Sequence, residues 1–229
     1  AHGLRLAAVL ERGAPYDIAI VKNPALLNDK NSVATVASGS LRRKAQWLAR
    51  YPKHTVTPIR GNVQTRLRKF EESEVINAII FARAGLERLN LLTENAVELP
   101  WMLPAPAQGI IGIACRESDD AVKNVLHEIN HKKTFKEGAV ERAFLQTLMG
   151  GCSVPVSAHA RIDSSELLFE GAMHSFDGTR QFNIRQVINA AEWETAGQMC
   201  AENLLLQLGA KELMEEIRNK KWDDESALN

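Results

Sequence analysis

The chain has 229 residues, 45% hydrophobic and 24% charged, and its 28 basic side chains balance 28 acidic ones to a formal net charge of zero. This is the composition of a globular protein with enough apolar residues for a sizeable core, in one large or two smaller domains. It excludes a membrane span of ~20 apolar residues, and no overall charge draws it to nucleic acid.

In chain order, the opening Ala-His-Gly-Leu has no methionine, and the first fifteen residues read as the middle of something, so a fragment without its N-terminal segment is expected. No signal peptide is recognisable. Asp17 to Val21 is a short apolar run and predicts a strand, and the polar stretch from Asn23 to Asn31 predicts a loop or frayed helix. Ser32 to Ala37 alternates and is β-branched, a second strand; Ser38-Gly39-Ser40 offers N-cap residues. Leu41, Ala45 and Leu48 then fall on one helical face, closed by Tyr51-Pro52. The pattern recurs with a strand over His54 to Ile59, a turn at Arg60-Gly61-Asn62 and a helical stripe of Val63, Leu67 and Phe70. It recurs again with a strand over Val75 to Ala82 and a short helix opening at Ala84. Repeated strand, turn and helix predict an α/β domain with a parallel-rich, helix-covered sheet.

Leu99 to Pro106 holds three prolines and reads as a linker. Gln108 to Cys115 predicts a buried strand, Asp119 to Ile129 a helix, and Lys132 to Met149 a further helix. Three alternating segments, Val156 to Ile162, Leu167 to Met173 and Arg180 to Val187, predict a three-stranded antiparallel sheet with turns at Ser164-Ser165 and Asp177-Gly178. Helices over Ala191 to Leu208 and Lys211 to Arg218 complete a C-terminal α+β domain. Before that sheet, Gly150-Gly151-Cys152-Ser153-Val154-Pro155 places a cysteine on a tight loop between elements. That loop suits a presented thiol, and equally a small buried hydrophobe in a turn. Cys115 and Cys200 sit in apolar patterns and read as core. With no C-x-x-C spacing, a disulfide framework or zinc site is not expected, and a reducing, cytoplasmic compartment is. The histidines are scattered without ligand spacing and read as surface or satisfied residues. Trp101 is expected to pack across the linker.

The neutral total hides a basic region. From Gly39 to Arg88 there are eleven cations against four acids, a surplus of seven. Arg42, Arg43, Arg60, Arg66 and Arg88 stand at or near helix starts, where a cation opposes the helix dipole at roughly 0.3–1 kcal/mol each. Repeating this after successive strands implies a bound anion beyond their carboxyl ends, where open α/β sheets take ligands. Arginine suits bidentate pairing with carboxylate or phosphate. The residues show no RRM, KH or helix-turn-helix pattern, so a small polyanion fits better than nucleic acid.

Six stretches occur in register: Ser38-Gly39-Ser40-Leu41-Arg42-Arg43, Arg60-Gly61-Asn62-Val63-Gln64-Thr65-Arg66-Leu67, Ala84-Gly85-Leu86-Glu87-Arg88-Leu89, Pro106-Ala107-Gln108-Gly109, Glu141-Arg142, and Gly151-Cys152-Ser153-Val154-Pro155. Together they resemble the hydroxymethylbilane synthase, or porphobilinogen deaminase, family over nearly the whole chain. The resemblance implies two periplasmic-binding-protein-like α/β domains and a C-terminal α+β domain. It divides this chain into a remnant or hinge of domain 1 over 1–15, α/β domain 2 over 16–103, a returning linker, strand and helix of domain 1 over 104–130, and domain 3 over 131–229. It implies a transferase of porphyrin and heme biosynthesis that joins four porphobilinogen units, each losing ammonia, into a linear tetrapyrrole. The units grow on a dipyrromethane cofactor attached through Cys152, and no metal is used. Ser40, Arg42, Arg43, Arg60, Gly85, Gln108 and Gly109 match cofactor-binding positions, and Arg60, Arg66 and Arg88 substrate-binding ones. A monomer is expected, with porphobilinogen as its small-molecule partner and neither nucleic acid nor a membrane.

One departure is plain. The family's catalytic aspartate lies in a His-Ser-x-Lys-Asp stretch, and none of the 229 residues forms one. Asp17 lies in a different strand and is given no site role. No catalytic residue is therefore assigned, the strand and helix within Ile110 to His127 are expected to lack a partner, and the polypeptide is expected to be inactive alone. The rival reading is a non-catalytic module that binds a polyanion or solute, in which a thiol at Cys152 has no use.

Overall fold

A computed structural model of the chain describes residues 3–148 and 154–219. Strand β1, Leu4–Val9, opens it, followed by β2, Asp17–Val21, which is buried along its whole length as its apolar run requires. A short 3-10 turn over Pro24–Leu27 leads to β3, Thr35–Ala37. Helix α1, Leu41–Arg50, starts where the Ser40 hydroxyl accepts from the Arg43 N–H. Strand β4, Thr55–Thr57, precedes α2, Val63–Glu72, which Asn62 caps by accepting from Thr65 N–H at 2.8 Å. Strand β5, Ala78–Ala82, runs directly into α3, Arg83–Glu87.

Strand β6, Ala96–Glu98, closes this part. The order is β4-β3-β5-β2-β6. β3 pairs in parallel with β4 and β5, whereas β2 runs antiparallel to both β5 and β6. The predicted strands over 32–37 and 75–82 are shorter than read, for local reasons. Ser32 turns back to hydrogen-bond the Asp29 carbonyl, and the Ser73 hydroxyl accepts from the N–H groups of Val75 and Ile76. These side chains offer the backbone an alternative to the ladder.

Strand β7, Gly112–Arg116, starts later than Gln108, because Ala107 and Gly109 have φ of 62° and 84° and fold the chain through consecutive turns. The expectation that it stands unpaired is corrected: β7 pairs antiparallel with β1, a strand unrecognised in the sequence. Helix α4, Asp120–Glu128, is capped by Asp119. The long α5, Lys132–Leu148, precedes the antiparallel sheet of β8, Val156–Asp163, β9, Glu166–His174, and β10, Gln181–Asn189. Helices α6, Trp193–Leu205, and α7, Ala210–Asn219, end the described chain. α5 and α6 cover one face of this sheet around Phe144, Leu148, Phe169, Cys200 and Leu204. The β9–β10 turn touches the α/β part, where a Cβ on Gly178, at φ +75°, would overlap the Ala45 carbonyl oxygen of α1. No described helix is long and apolar enough to cross a membrane.

The α5–α6 crossing depends on Gly197, where a Cβ would run into the Val140 carbonyl and the Ala143 side chain. Glycine inside a helix ordinarily costs roughly 0.5–1 kcal/mol relative to alanine. Here the sign reverses, and Gly197→Ala is expected to destabilise the protein by about 1–3 kcal/mol through overpacking. Urea denaturation measures it, and a stabilised variant would contradict the crossing.

Candidate functional site

Two connecting segments, residues 10–16 and 104–110, run side by side between the three sheets, and the site is built on them. Gly13 N–H donates to the Gly109 carbonyl at 3.1 Å. A side chain at Gly109 would lie 2.7 Å from the Gly13 carbonyl oxygen, so the close approach requires glycine.

Beside this crossing Asp17 is fully buried. Its Oδ2 accepts from Arg42 Nη2 at 2.7 Å, and its Oδ1 accepts from Arg43 Nε at 3.1 Å, Arg43 Nη2 at 2.8 Å and Gln108 Nε2 at 3.0 Å. Burial alone would raise this carboxyl, but Arg42 and Arg43 outweigh it and hold Asp17 below the usual carboxylate range. Arg42 also donates to the Leu103 carbonyl at 2.5 Å and to Gln108 Oε1 at 3.2 Å. Gln108 completes the tie, donating to the Pro15 carbonyl at 2.6 Å and accepting from Arg12 Nε at its own carbonyl at 3.0 Å.

Arg12 then forks onto Glu141 of α5, at 2.6 and 3.2 Å. Glu141 also accepts from the N–H groups of Ala107, at 2.6 Å, and Ala160, at 2.8 Å. Burial pushes its carboxyl up, and Arg12 and the two backbone donors oppose that. One polar network therefore joins β2, α1, both connectors, α5 and β8.

The predicted site residues distribute around this network in distinct ways. Arg42 is buried at 4% exposure with its charge met by Asp17. Arg43 is at 12% side-chain exposure and shares that carboxylate. Arg66 is half-buried, its guanidinium 5.2 Å from the centre of the Phe81 ring. Burial, and then the charge of Arg43, draw Arg66 below its ordinary pKa, so the two cations sit near one another. Arg60 is exposed at the turn into α2. Arg88 is exposed and donates to the Gly109 carbonyl at 2.8 Å. Arg42, Arg43, Arg60, Arg66 and Arg88 thus follow the carboxyl ends of β3, β4 and β5. Ser40 is spent as a helix cap, and a Cβ on Gly85 would meet nothing within 4 Å, so that backbone faces open space. Gln108 and Gly109 are structural parts of the crossing. Cys152 lies outside the described residues.

Cys115 and Cys200 are buried as expected, and burial pushes the Cys200 thiol up to about 12. Trp101 packs beside Trp47 and Tyr51. No group of three or more metal-ligating side chains occurs among the described residues. Of Asp17, Arg12 and Glu141, Arg12 carries no signal in the sequence, Glu141 stands there only within the Glu141-Arg142 stretch with no role of its own, and Asp17 is given no site role. Asp17 did carry a signal, since an acid opening a wholly apolar strand has to be paired if the strand is buried.

Removing one partner of a buried pair leaves the other uncompensated, so Asp17→Asn is expected to cost about 3–5 kcal/mol in urea denaturation. A carboxyl held low in the fold contributes stability that is full above its unfolded value of about 4. That contribution is lost as pH falls through the folded value. The variant should therefore show a flatter acid limb below about pH 4; an unchanged limb would remove Asp17 from the stabilising network.

Known proteins are similar to this chain over most of its length. A family model described as porphobilinogen deaminase, dipyromethane cofactor binding domain, matches residues 1–124, and one described as porphobilinogen deaminase, C-terminal domain, matches residues 135–206. A porphobilinogen deaminase of Syntrophomonas wolfei is 39% identical over 215 residues, covering 93% of this chain and 70% of the relative. One from Listeria welshimeri is 35% identical over 226 residues, covering 96% and 71%. A chloroplastic porphobilinogen deaminase of Pisum sativum is 42% identical over 207 residues, covering 87% and 56%. The chain therefore belongs to the porphobilinogen deaminase family.

Proposed function

We propose that this chain is a transferase of tetrapyrrole synthesis that holds pyrrole carboxylates on its arginine bank while porphobilinogen units, each losing ammonia, are joined into hydroxymethylbilane. The carrying observation is a local imbalance: Arg42, Arg43 and Arg66 lie together, and Asp17 is their one close acid among the described residues. Partly desolvated cations without counter-charges are costly, and a polycarboxylate supplies the missing anions.

The donor set suits a dipyrromethane, whose acetate and propionate groups match guanidinium forks. When bound, that group supplies the covalent primer from which the pyrrole chain grows. On this reading Arg43 and Arg66 grip carboxylates at the inner end of the bank, and Arg60 and Arg88 meet them at its exposed rim. Arg42 acts differently: with its charge answered by Asp17, it fixes the start of α1 and so the direction of Arg43. The open space at Gly85 lets a ligand reach the α3 backbone. Cys152, which follows α5 and precedes β8 in the sequence, is assigned the covalent anchor.

The same reading takes 16–103 as the ligand-bearing α/β domain and 131–229 as the domain carrying the anchor. Residues 1–15 and 104–130 are read as strand, helix and connectors of a further unit. The protein is taken to act as a cytoplasmic monomer. Because no His-Ser-x-Lys-Asp stretch occurs in the 229 residues, the family's catalytic aspartate, which stabilises positive charge on the pyrrole nitrogens, is not assigned to this chain.

Two measurements test the reading. Arg66→Met is expected to bind porphobilinogen at least about tenfold more weakly by calorimetry, the loss of one charge-assisted contact of about 1.5–3 kcal/mol; an unchanged affinity would exclude the bank. The polypeptide of these 229 residues should release no linear tetrapyrrole from porphobilinogen, and turnover by it would show that a group able to stabilise the pyrrole's positive charge lies within the chain.

A further inference from the structure

We infer that Gln46 is a positioning residue for the arginine bank, through which the C-terminal sheet sets the direction of Arg43. The inference rests on the carboxylate-binding role proposed above for Arg43 and Arg66.

Gln46 lies on α1 one turn after Arg42, on the same helical face. It is 6% exposed. An amide out of water is unfavourable unless its polar atoms are bonded, and here every bond goes to a fixed partner. Nε2 donates to the Leu103 carbonyl and to the Ser157 hydroxyl, each at 3.0 Å, and Oε1 accepts from the Leu103 N–H at 2.9 Å. Two of these partners are backbone atoms at the entry to the second connector. The third belongs to β8 and is itself fully buried. The next carbonyl along, that of Pro104, accepts from the Ala158 N–H of β8 at 3.1 Å. The Leu103-Pro104 segment is therefore held between α1 and β8.

The Leu103 carbonyl has two lone pairs, and α1 takes both, through Gln46 Nε2 and through Arg42 Nη1 at 2.5 Å. Arg42 Nη2 donates to one oxygen of Asp17, and the other oxygen accepts from Arg43. An unbroken run of hydrogen bonds thus leads from Ser157 through Gln46, Leu103, Arg42 and Asp17 to Arg43. The β9–β10 turn bears on the same helix, where a Cβ on Gly178 would stand 2.3 Å from the Ala45 carbonyl oxygen and 2.7 Å from the Ala49 nitrogen. Packing of this kind limits how far α1 can approach the sheet, but it carries little direction. Hydrogen bonds are directional, so the Gln46 amide fixes the roll of α1 about its axis. A roll of α1 would swing Arg43 away from the rest of the bank. A methionine at position 46 would fill the same space and leave that roll unset.

Gln46→Met therefore isolates the three hydrogen bonds. In the whole chain without ligand, the Arg43 Nε–H signal should shift in ¹⁵N spectra while that of Arg60 stays in place. Porphobilinogen affinity by calorimetry should fall about three- to tenfold. The loss should vanish in an Arg43→Lys background and persist in an Arg60→Met background, a selectivity that general loosening of the fold does not produce. Ser157→Ala removes one hydroxyl alone and serves if Gln46→Met folds poorly; it should move the Arg43 signal by less. An unmoved Arg43 signal, an unchanged affinity of Gln46→Met where Arg66→Met weakens binding, or equal losses in the two backgrounds would overturn the positioning role. A wild-type chain that binds no porphobilinogen would overturn the arginine bank itself, and with it the purpose assigned to Gln46.

Discussion

The carboxylate of Asp17 is the charge around which the molecule is arranged. An ion of this kind, wholly out of water, carries a desolvation penalty of several kcal/mol. It persists only because four donors from three side chains converge on its two oxygens. Each donor belongs to something that has to be held. Arg42 and Arg43 are the first turn of α1, and Gln108 belongs to the connector returning from the α/β part. Through Gln108 the network passes to Arg12, and through Arg12 to Glu141 of the C-terminal part. The relative placement of the sheets is thus written in hydrogen bonds to two buried acids, with the Gly13–Gly109 contact as the point where two backbones pass.

Much of this was readable before any coordinates, and the failures have physical causes. The strand-turn-helix units announced themselves through apolar periodicity, and Ser40 and Asn62 through capping chemistry. The antiparallel sheet showed in alternation and in its Asp177-Gly178 turn. β1 and β6 escaped because neither has a strong pattern of its own. β1 is largely exposed on its outer residues and β6 is three residues long, so each is a strand mainly because a partner strand lies beside it. Strand lengths were overread where Ser32 and Ser73 use their hydroxyls to bend the backbone, a competition that side-chain propensity does not display.

The site divides along the same line. Runs of arginine after strands are visible in sequence, and so is their conflict with the helix dipole. What sequence cannot show is which arginine is answered from within. Arg42 and Arg43 are adjacent letters, yet α1 turns about 100° between them, and that rotation sends one into the core beside Asp17 and leaves the other at the edge. His174 is a second case: a histidine without ligand spacing reads as surface or satisfied, and the fold buries it with Gln181 and the Pro155 backbone acting on its ring.

This difference between neighbours bears on how a bank of like charges survives without collapsing. Left alone, clustered guanidinium groups repel and splay into water, where they bind carboxylates no better than free side chains do. Asp17 prevents that by neutralising about one charge of the group and by fixing the helix start that carries the rest. Arg43 is gripped through Nε and Nη2 alone, on an oxygen it shares with Gln108, so it is oriented without being exhausted. Arg66 is held by the Phe81 face, which gives direction but no counter-charge. The protein thus keeps Arg42 for architecture, and leaves on Arg43 and Arg66 positive charge that Asp17 alone does not answer.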